Sequence, residues 1–486
     1  MNLHAVQSCS SADCWLIPAG ASVAQSAIPV ALKESVECAL SSGAWSKQAK
    51  TLVLTAAENG RLVRAVLCDV PEYKDARDVR RAFLALAEGF RQCRRLGART
   101  VACVCAEPLT RPDVFAKACE APFLVDWRFE KYKSHPSENA FDDVFMVTDV
   151  PDAEKIAREA CVCAASTLLA RNLANEPACF LSTAGFAGAA RAVARECGLE
   201  ICVYEKDEIE KMGMGAFLAV GRGAHAAPPV LIVLRRKVND GPVIGLVGKA
   251  IMYDSGGYSL KTREGMKTMF DDMGGAAAVL GAIRSAALNN LPVNVTAVMA
   301  ACENRVSHDA YVPGDILRSM SGKTIEMLNT DAEGRLTLAD AVTYAIRREH
   351  ADVILDIATL TGAARAAVGN KTAAVLVSDE KLFATLRDAS HDAAEKVWLL
   401  DSDEELHPIL SSTIADIKNA APGNTTGGVI TAGLFIKEFT EGKPWLHVDM
   451  ASVNYTAEEQ PWCDRGATGY GASLLYHWLK RMSAQN

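Results

Sequence analysis

The chain has 486 residues, half of them hydrophobic and 23% charged, with a formal net charge of −8. That length exceeds one ordinary domain, and the composition lacks the polar bias of disordered chains. The acidic balance argues against a polyanion-binding surface over the whole molecule, and no apolar run reaches the ~18 residues of a membrane span.

Residues 1–150 alternate short apolar segments with helical ones: CWLIPAG, TLVLTAA and LVRAVLCDV, the helical DARDVRRAFLALAEGFRQCRRLG, then TVACVCA. This alternation predicts a smaller N-terminal α/β domain. The polar stretch at 128–143 leads to a connecting helix over 151–174, EKIAREACVCAASTLLARNLA. Fifteen cysteines, an odd count without paired CxxC motifs, predict reduced and mostly buried thiols. The opening MNLHAVQSCSSADC does not read as a secretory leader, so the expected location is cytoplasmic.

Over 175–486 the apolar runs VLIVL, PVIGLVG, VNVTAVMA, ADVILDIATL and TAAVLVSD alternate with helices. Strands buried on both faces read this way. The expected fold class is therefore α/β, with a larger C-terminal α/β/α domain around a mainly parallel central sheet. Ligands of such sheets bind beyond the carboxyl ends of the strands.

Three strand-to-loop junctions stand out. In GLVGKAIMYDSGGYSLK the strand is expected to end near Gly248, with Lys249, Asp254 and Lys261 following. In MFDDMGGAAAVLGA, Asp272 precedes two glycines, and NTDAEGR precedes the helical LTLADAVTYAIRR. In an extended or loop segment Asp331, Glu333 and Arg335, spaced two apart, would project from one side. Singly, DSGG and DMGG could be helix caps. Convergence of Asp254, Asp272, Asp331 and Glu333 would instead crowd four negative charges and require cations, which two divalent ions would supply. No HExxH or GxSxG is present, and the nine histidines read as surface or structural residues, His308 lying nearest the junctions in sequence.

NTDAEGRLTLADA, with DSGGYSLK and DMGGAAAVLG upstream, resembles the leucyl aminopeptidase family of dinuclear metallopeptidases. NLANEPA, MGMGAFLAVGRG, ATLTGA and RGATGYGASLL extend the resemblance over the catalytic part. It implies a smaller, macro-like N-terminal domain over 1–150 and a catalytic domain over 175–486. By position it implies metal ligands at Lys249, Asp254, Asp272, Asp331 and Glu333, and catalytic residues Lys261 and Arg335. Substrate-binding positions fall on Met269, Asn329, Thr359, Leu360, Gly362 and Ala451.

The implied enzyme holds two divalent ions (Mn or Zn, with Mg or Co as further choices) and a bicarbonate at Arg335. It releases leucine-like N-terminal residues from peptides with a free amino terminus, by attack of a metal-activated water. Relatives assemble as homohexamers, and some bind DNA, which leaves a binding or regulatory role as the alternative. The chain departs from the family pattern at Ala250, Tyr253, Ser452 and Asn454.

Overall fold

The computed structural model describes residues 1–19, 28–41, 50–58, 60–138, 140–421 and 427–484. The chain divides into two compact units, the first formed by Met1–Leu168, His391–Ala394 and Thr456–Gly466, the second by the remainder. The division falls within one long helix, Ala153–Asn175.

The first unit is built on a six-stranded sheet in the order Asn2–Val6, Asp143–Val147, Thr100–Val104, Cys14–Pro18, Arg61–Cys68 and Thr51–Glu58. Only the last pair is antiparallel. Strand periodicity sends alternate residues to opposite faces. Cys14 and Leu16 accordingly enter the core formed with helices Asp78–Arg95 and Pro112–Asp126, whereas Trp15 and Ile17 enter the one formed with helix Val30–Ser41. Two apolar faces on one sheet demand helices on both, hence three layers. All fifteen cysteines are free and nine are buried, six of them in the core that holds Phe83, Phe90 and Phe115.

The second unit carries an eight-stranded sheet ordered Val397–Leu399, Ala373–Val377, Trp445–Asp449, Val353–Ala358, Val243–Asp254, Asn294–Asn304, Val230–Arg236 and Glu200–Tyr204. The four central strands are mutually parallel, and antiparallel pairs flank them. Helix Gly274–Leu288 packs with Ala472–Ser483 and Thr183–Cys197 on one side. Helix Gly334–Arg347 packs with Gly215–Gly221 and Gly428–Lys437 on the other. This is the expected α/β architecture with a mainly parallel sheet.

One strand boundary differs from expectation. The central strand does not end near Gly248 but runs to Asp254, so Lys249 and Asp254 both lie on it. Five residues apart, they would point to opposite faces of a regular strand. Pairing with the neighbouring strand shifts register between Cys302 and Glu303, where Ile251 and Tyr253 are partnered and Met252 is passed over. This β-bulge inserts one residue, and the inserted residue reverses the alternation. Both side chains thereby face the side of helix Gly334–Arg347.

Close helix-to-sheet packing brings that helix and its opposite number to the strand ends. A Cβ on Gly275 would lie 2.2 Å from Ile357 O, and one on Gly334 would lie 2.6 Å from Lys249 Cε. Gly188, inside helix Thr183–Cys197, has open space where a Cβ would stand. Gly275→Ala is expected to destabilise the protein by about 1–3 kcal/mol through overpacking. Gly188→Ala should leave it unchanged or stabilise it by about 0.4–1 kcal/mol. Urea unfolding of the two variants beside the parent protein checks both.

Candidate metal centre

The three sequence junctions meet at the carboxyl ends of the central strands. Lys249 Nζ lies 2.8 Å from Asp272 Oδ2 and 2.8 Å from Glu333 Oε1, and donates to Thr359 O at 2.9 Å. Lys261 Nζ lies 2.7 Å from Asp254 Oδ2 and also contacts Asp331 Oδ1. Asp254, Asp272 and Glu333 each present an oxygen, and the three oxygens lie within 4.8 Å of one another. Asp331 stands outside that trio, beside Lys261.

Each carboxylate is positioned by local structure. Asp254 Oδ1 accepts from Gly256 N and from Asn304 Nδ2, both at 2.8 Å. Asp272 closes the short turn Met269–Asp271 just ahead of helix Gly274–Leu288, and Thr359 Oγ1 donates to its Oδ1 at 2.6 Å. Asp331 N donates to Asn329 Oδ1 at 2.8 Å, an Asx turn that shapes NTDAEGR.

The three side chains of that motif have different nearest partners. Glu333 already has helical backbone angles (φ −77°, ψ −37°) and Arg335 lies in the first helical turn. Asp331 is directed to Lys261 and Glu333 to Lys249, while Arg335 donates to Asn419 O at 2.9 Å. Onset of the helix at Gly334 replaces the two-residue alternation with a helical one.

Electrostatics single this cluster out. Burial works against both lysine charges, but Asp272, Glu333 and Asp254 outweigh it at Lys249, whose basicity rises. The surrounding carboxylates raise Lys261 as well. Burial drives Asp272 well above the usual carboxylate range and lifts Asp271 to about 7. Burial and the Asp254 charge raise Asp331 to about 6.

Four carboxylates against two ammoniums leave negative charge unmatched in a buried site, where each unpaired ion costs several kcal/mol. The hydrogen bonding is equally incomplete. Glu333 Oε2 and Arg335 Nε are buried without a partner, and Asp272 Oδ2 and Asp331 Oδ1 touch a lysine without hydrogen-bond geometry. Buried orphan oxygens beside excess negative charge fit divalent cations, and an oxygen-rich donor set suits hard or borderline ions.

The cytosol aminopeptidase family, catalytic domain, matches residues 168–476. The chain belongs to the cytosol aminopeptidase family. This is the family that the motif blocks resemble. A probable cytosol aminopeptidase of Clostridium perfringens (strain 13 / Type A) is 46% identical over 367 residues, covering 74% of each chain. One from Alkaliphilus metalliredigens (strain QYMF) is 40% identical over 417 residues, covering 82% of this chain and 81% of its own. Among solved structures, the bottromycin maturation enzyme BotP superposes with a TM-score of 0.84 at 29% identity, over 98% of this chain and 100% of its own.

Within this cytosol aminopeptidase fold, three of the four departures from the family pattern acquire structural explanations. Ala250 follows Lys249 on a strand, so its methyl projects to the opposite face, where it is fully buried. Asn454 Nδ2 donates to Asp271 O at 3.0 Å, and its Oδ1 fills the space that a Cβ on Gly274 would need. Asn454 therefore braces the turn that carries Asp272. Ser452 Oγ is likewise turned inward, donating to Thr372 O at 2.6 Å.

Several site residues carry no sequence signal of their own. Asp449, fully buried, accepts from Leu360 N, Thr361 N, Thr361 Oγ1 and Ala451 N, and so ties together the loops bearing Thr359, Leu360, Gly362 and Ala451. Asn419 grips the other side, accepting from Leu328 N and donating to Asn329 O. Thr330 Oγ1 donates to Gly256 O, joining NTDAEGR to DSGGYSLK. Their spacing in sequence, up to 91 residues for Leu328 and Asn419, hides such partnerships.

Beneath the site, His447 Nδ1 lies 2.6 Å from Asp356 Oδ1, both side chains fully buried, and Trp445 Nε1 donates to Asp356 Oδ2 at 2.7 Å. Burial lowers the imidazole, but the Asp356 charge outweighs it and His447 is raised. A raised folded value means that the pairing stabilises fully below the unfolded value of about 6.5 and fades as pH climbs through the folded one. The melting-temperature advantage of the parent protein over His447→Gln should accordingly be largest below about pH 6.5 and shrink at alkaline pH. Thermal unfolding of both proteins across that range checks it.

Proposed function

We propose that this chain is a dinuclear metal-dependent aminopeptidase acting on peptides with a free amino terminus. The observation that carries the reading is the buried convergence of Asp254, Asp272 and Glu333, with Lys249 against Asp272 and Glu333 and with Glu333 Oε2 left unpartnered. Lys249, Asp254, Asp272, Asp331 and Glu333 would hold two divalent ions. Manganese is the first choice, since BotP has also been solved in complex with Mn; zinc, magnesium and cobalt share the required oxygen affinity. Bound there, the ions would supply Lewis acidity and lower the pKa of water.

The chain's own residues account for the rest of the chemistry. Lys249 must be a neutral amine to coordinate, and dications beside it favour loss of its proton. Lys261, whose side chain is 18% exposed, remains the one ammonium of the pair able to face substrate. It would stabilise negative charge as it develops on the scissile carbonyl oxygen. Water adds to the carbonyl carbon, the C–N bond breaks, and the departing amine takes up a proton. Arg335 Nε, buried and unpartnered, is the donor for a small oxyanion such as bicarbonate, which would serve that proton transfer.

Met269, Thr359, Leu360, Gly362 and Ala451 would line the substrate's first side-chain site, with Asn329 a further substrate-binding position. Because Ser452 and Asn454 spend their polar groups on internal hydrogen bonds, a leucine-like first residue is the preferred substrate. Family membership also supports a homohexameric assembly and a cytoplasmic location.

Hydrolysis of leucine p-nitroanilide should vanish after chelation and return on titration with Mn²⁺ or Zn²⁺; activity indifferent to chelation would refute the metal reading. Lys261→Ala should lower turnover by roughly two to three decades, the scale of a lost oxyanion donor, while elemental analysis finds the metal content unchanged. Glu333→Ala should lose at least one metal per chain in the same measurement. Comparing kcat/KM for leucine, methionine and alanine amides tests the first-residue preference.

A further inference from the structure

Among the described residues a second group of metal-capable side chains lies outside the carboxylate centre: His225, His308 and Asp309. His225 follows the helix Gly215–Gly221, whereas His308 and Asp309 sit in the loop after strand Asn294–Asn304. Their sequence separation conceals the grouping, and His308 alone carried no sign of a role. In the fold the two imidazoles stack nearly parallel, with centroids 5.9 Å apart and an interplanar angle of 21°. His225 Nε2 lies 3.0 Å from Asp309 Oδ1, and one ligand atom from each of the three residues falls within 4.8 Å of the others.

We propose that His225, His308 and Asp309 form an accessory binding site for a transition-metal ion of the zinc class. Two imidazole nitrogens and one carboxylate oxygen make a borderline donor set that favours zinc, cobalt or nickel over magnesium or calcium. The exposure of both histidines leaves the remaining coordination positions open to water. This donor set differs in kind from the oxygen-rich centre at Asp254, Asp272 and Glu333.

The site also has supporting bonds of its own. Ser307 Oγ donates to Asp309 Oδ1 at 2.6 Å, the outer hydrogen bond that orients a ligating carboxylate, and holds Asp309 below its ordinary range. Ser307 O in turn accepts from Tyr258 OH at 2.9 Å. Tyr258 lies in DSGGYSLK between Asp254 and Lys261, so an ion that fixed the 305–309 loop would brace the segment bearing Lys261. The site is a bridge between a surface ion and the active-site loop.

Zinc content after dialysis of the full chain against buffered micromolar zinc tests the proposal. The parent protein should hold one more zinc per chain than a His225→Ala/His308→Ala variant, with both showing the same circular dichroism. Crystals soaked in zinc and recorded at the zinc absorption edge should place an anomalous peak between His225 and Asp309. Equal zinc counts in the two proteins, or anomalous density confined to the carboxylate centre, overturns the assignment. Because the readout is a difference at exposed residues, it does not depend on whether the carboxylate centre is catalytic.

Discussion

The second unit is organised around an electrostatic conflict: four carboxylates and two lysines are drawn from three chain segments into one largely buried site. Left to themselves like charges in a low-dielectric setting would separate or protonate. They are held because each belongs to a rigid element: Asp254 at a strand end, Asp272 ahead of one helix and Glu333 capping another. The surrounding glycines are consequences of the same constraint, since backbone must pass where a side chain would collide with Lys249 or Ile357.

Around this conflict the fold builds a polar scaffold that is buried and hydrogen-bonded in detail. Asn304, Thr330 and Tyr311 fasten the two acidic loops together, Tyr311 OH and Asn304 Nδ2 both donating to Thr330 O. Asp449 and Asn419 brace the flanking loops. Such networks repay their desolvation only when nearly every member is satisfied. Glu333 Oε2 and Arg335 Nε, buried without a partner, are therefore exceptions within this scaffold.

The altered positions illustrate how a family pattern is accommodated locally. Asn454 reads in sequence as a polar intrusion into the expected substrate pocket, yet its amide holds Asp271 O and its volume is matched by Gly274. The methyl of Ala250 is harmless because strand geometry points it away from Lys249.

The sequence by itself determined the α/β class, because apolar strand runs such as VLIVL and helical periodicity are local properties of the chain. It also marked Asp254, Asp272, Asp331 and Glu333 as candidates, since glycine-flanked carboxylates at expected strand ends form an unusual local pattern, and the family resemblance added Lys249. It gave no sign of the strand Trp445–Asp449, whose histidine and aspartate look unsuited to a buried sheet until His447 meets Asp356 on the neighbouring strand. Only the tertiary structure decided the bulge at Met252, the start of the helix at Gly334 and the meeting of His225 with His308. Each depends on strand register or on contacts between residues distant in sequence, which local patterning does not encode.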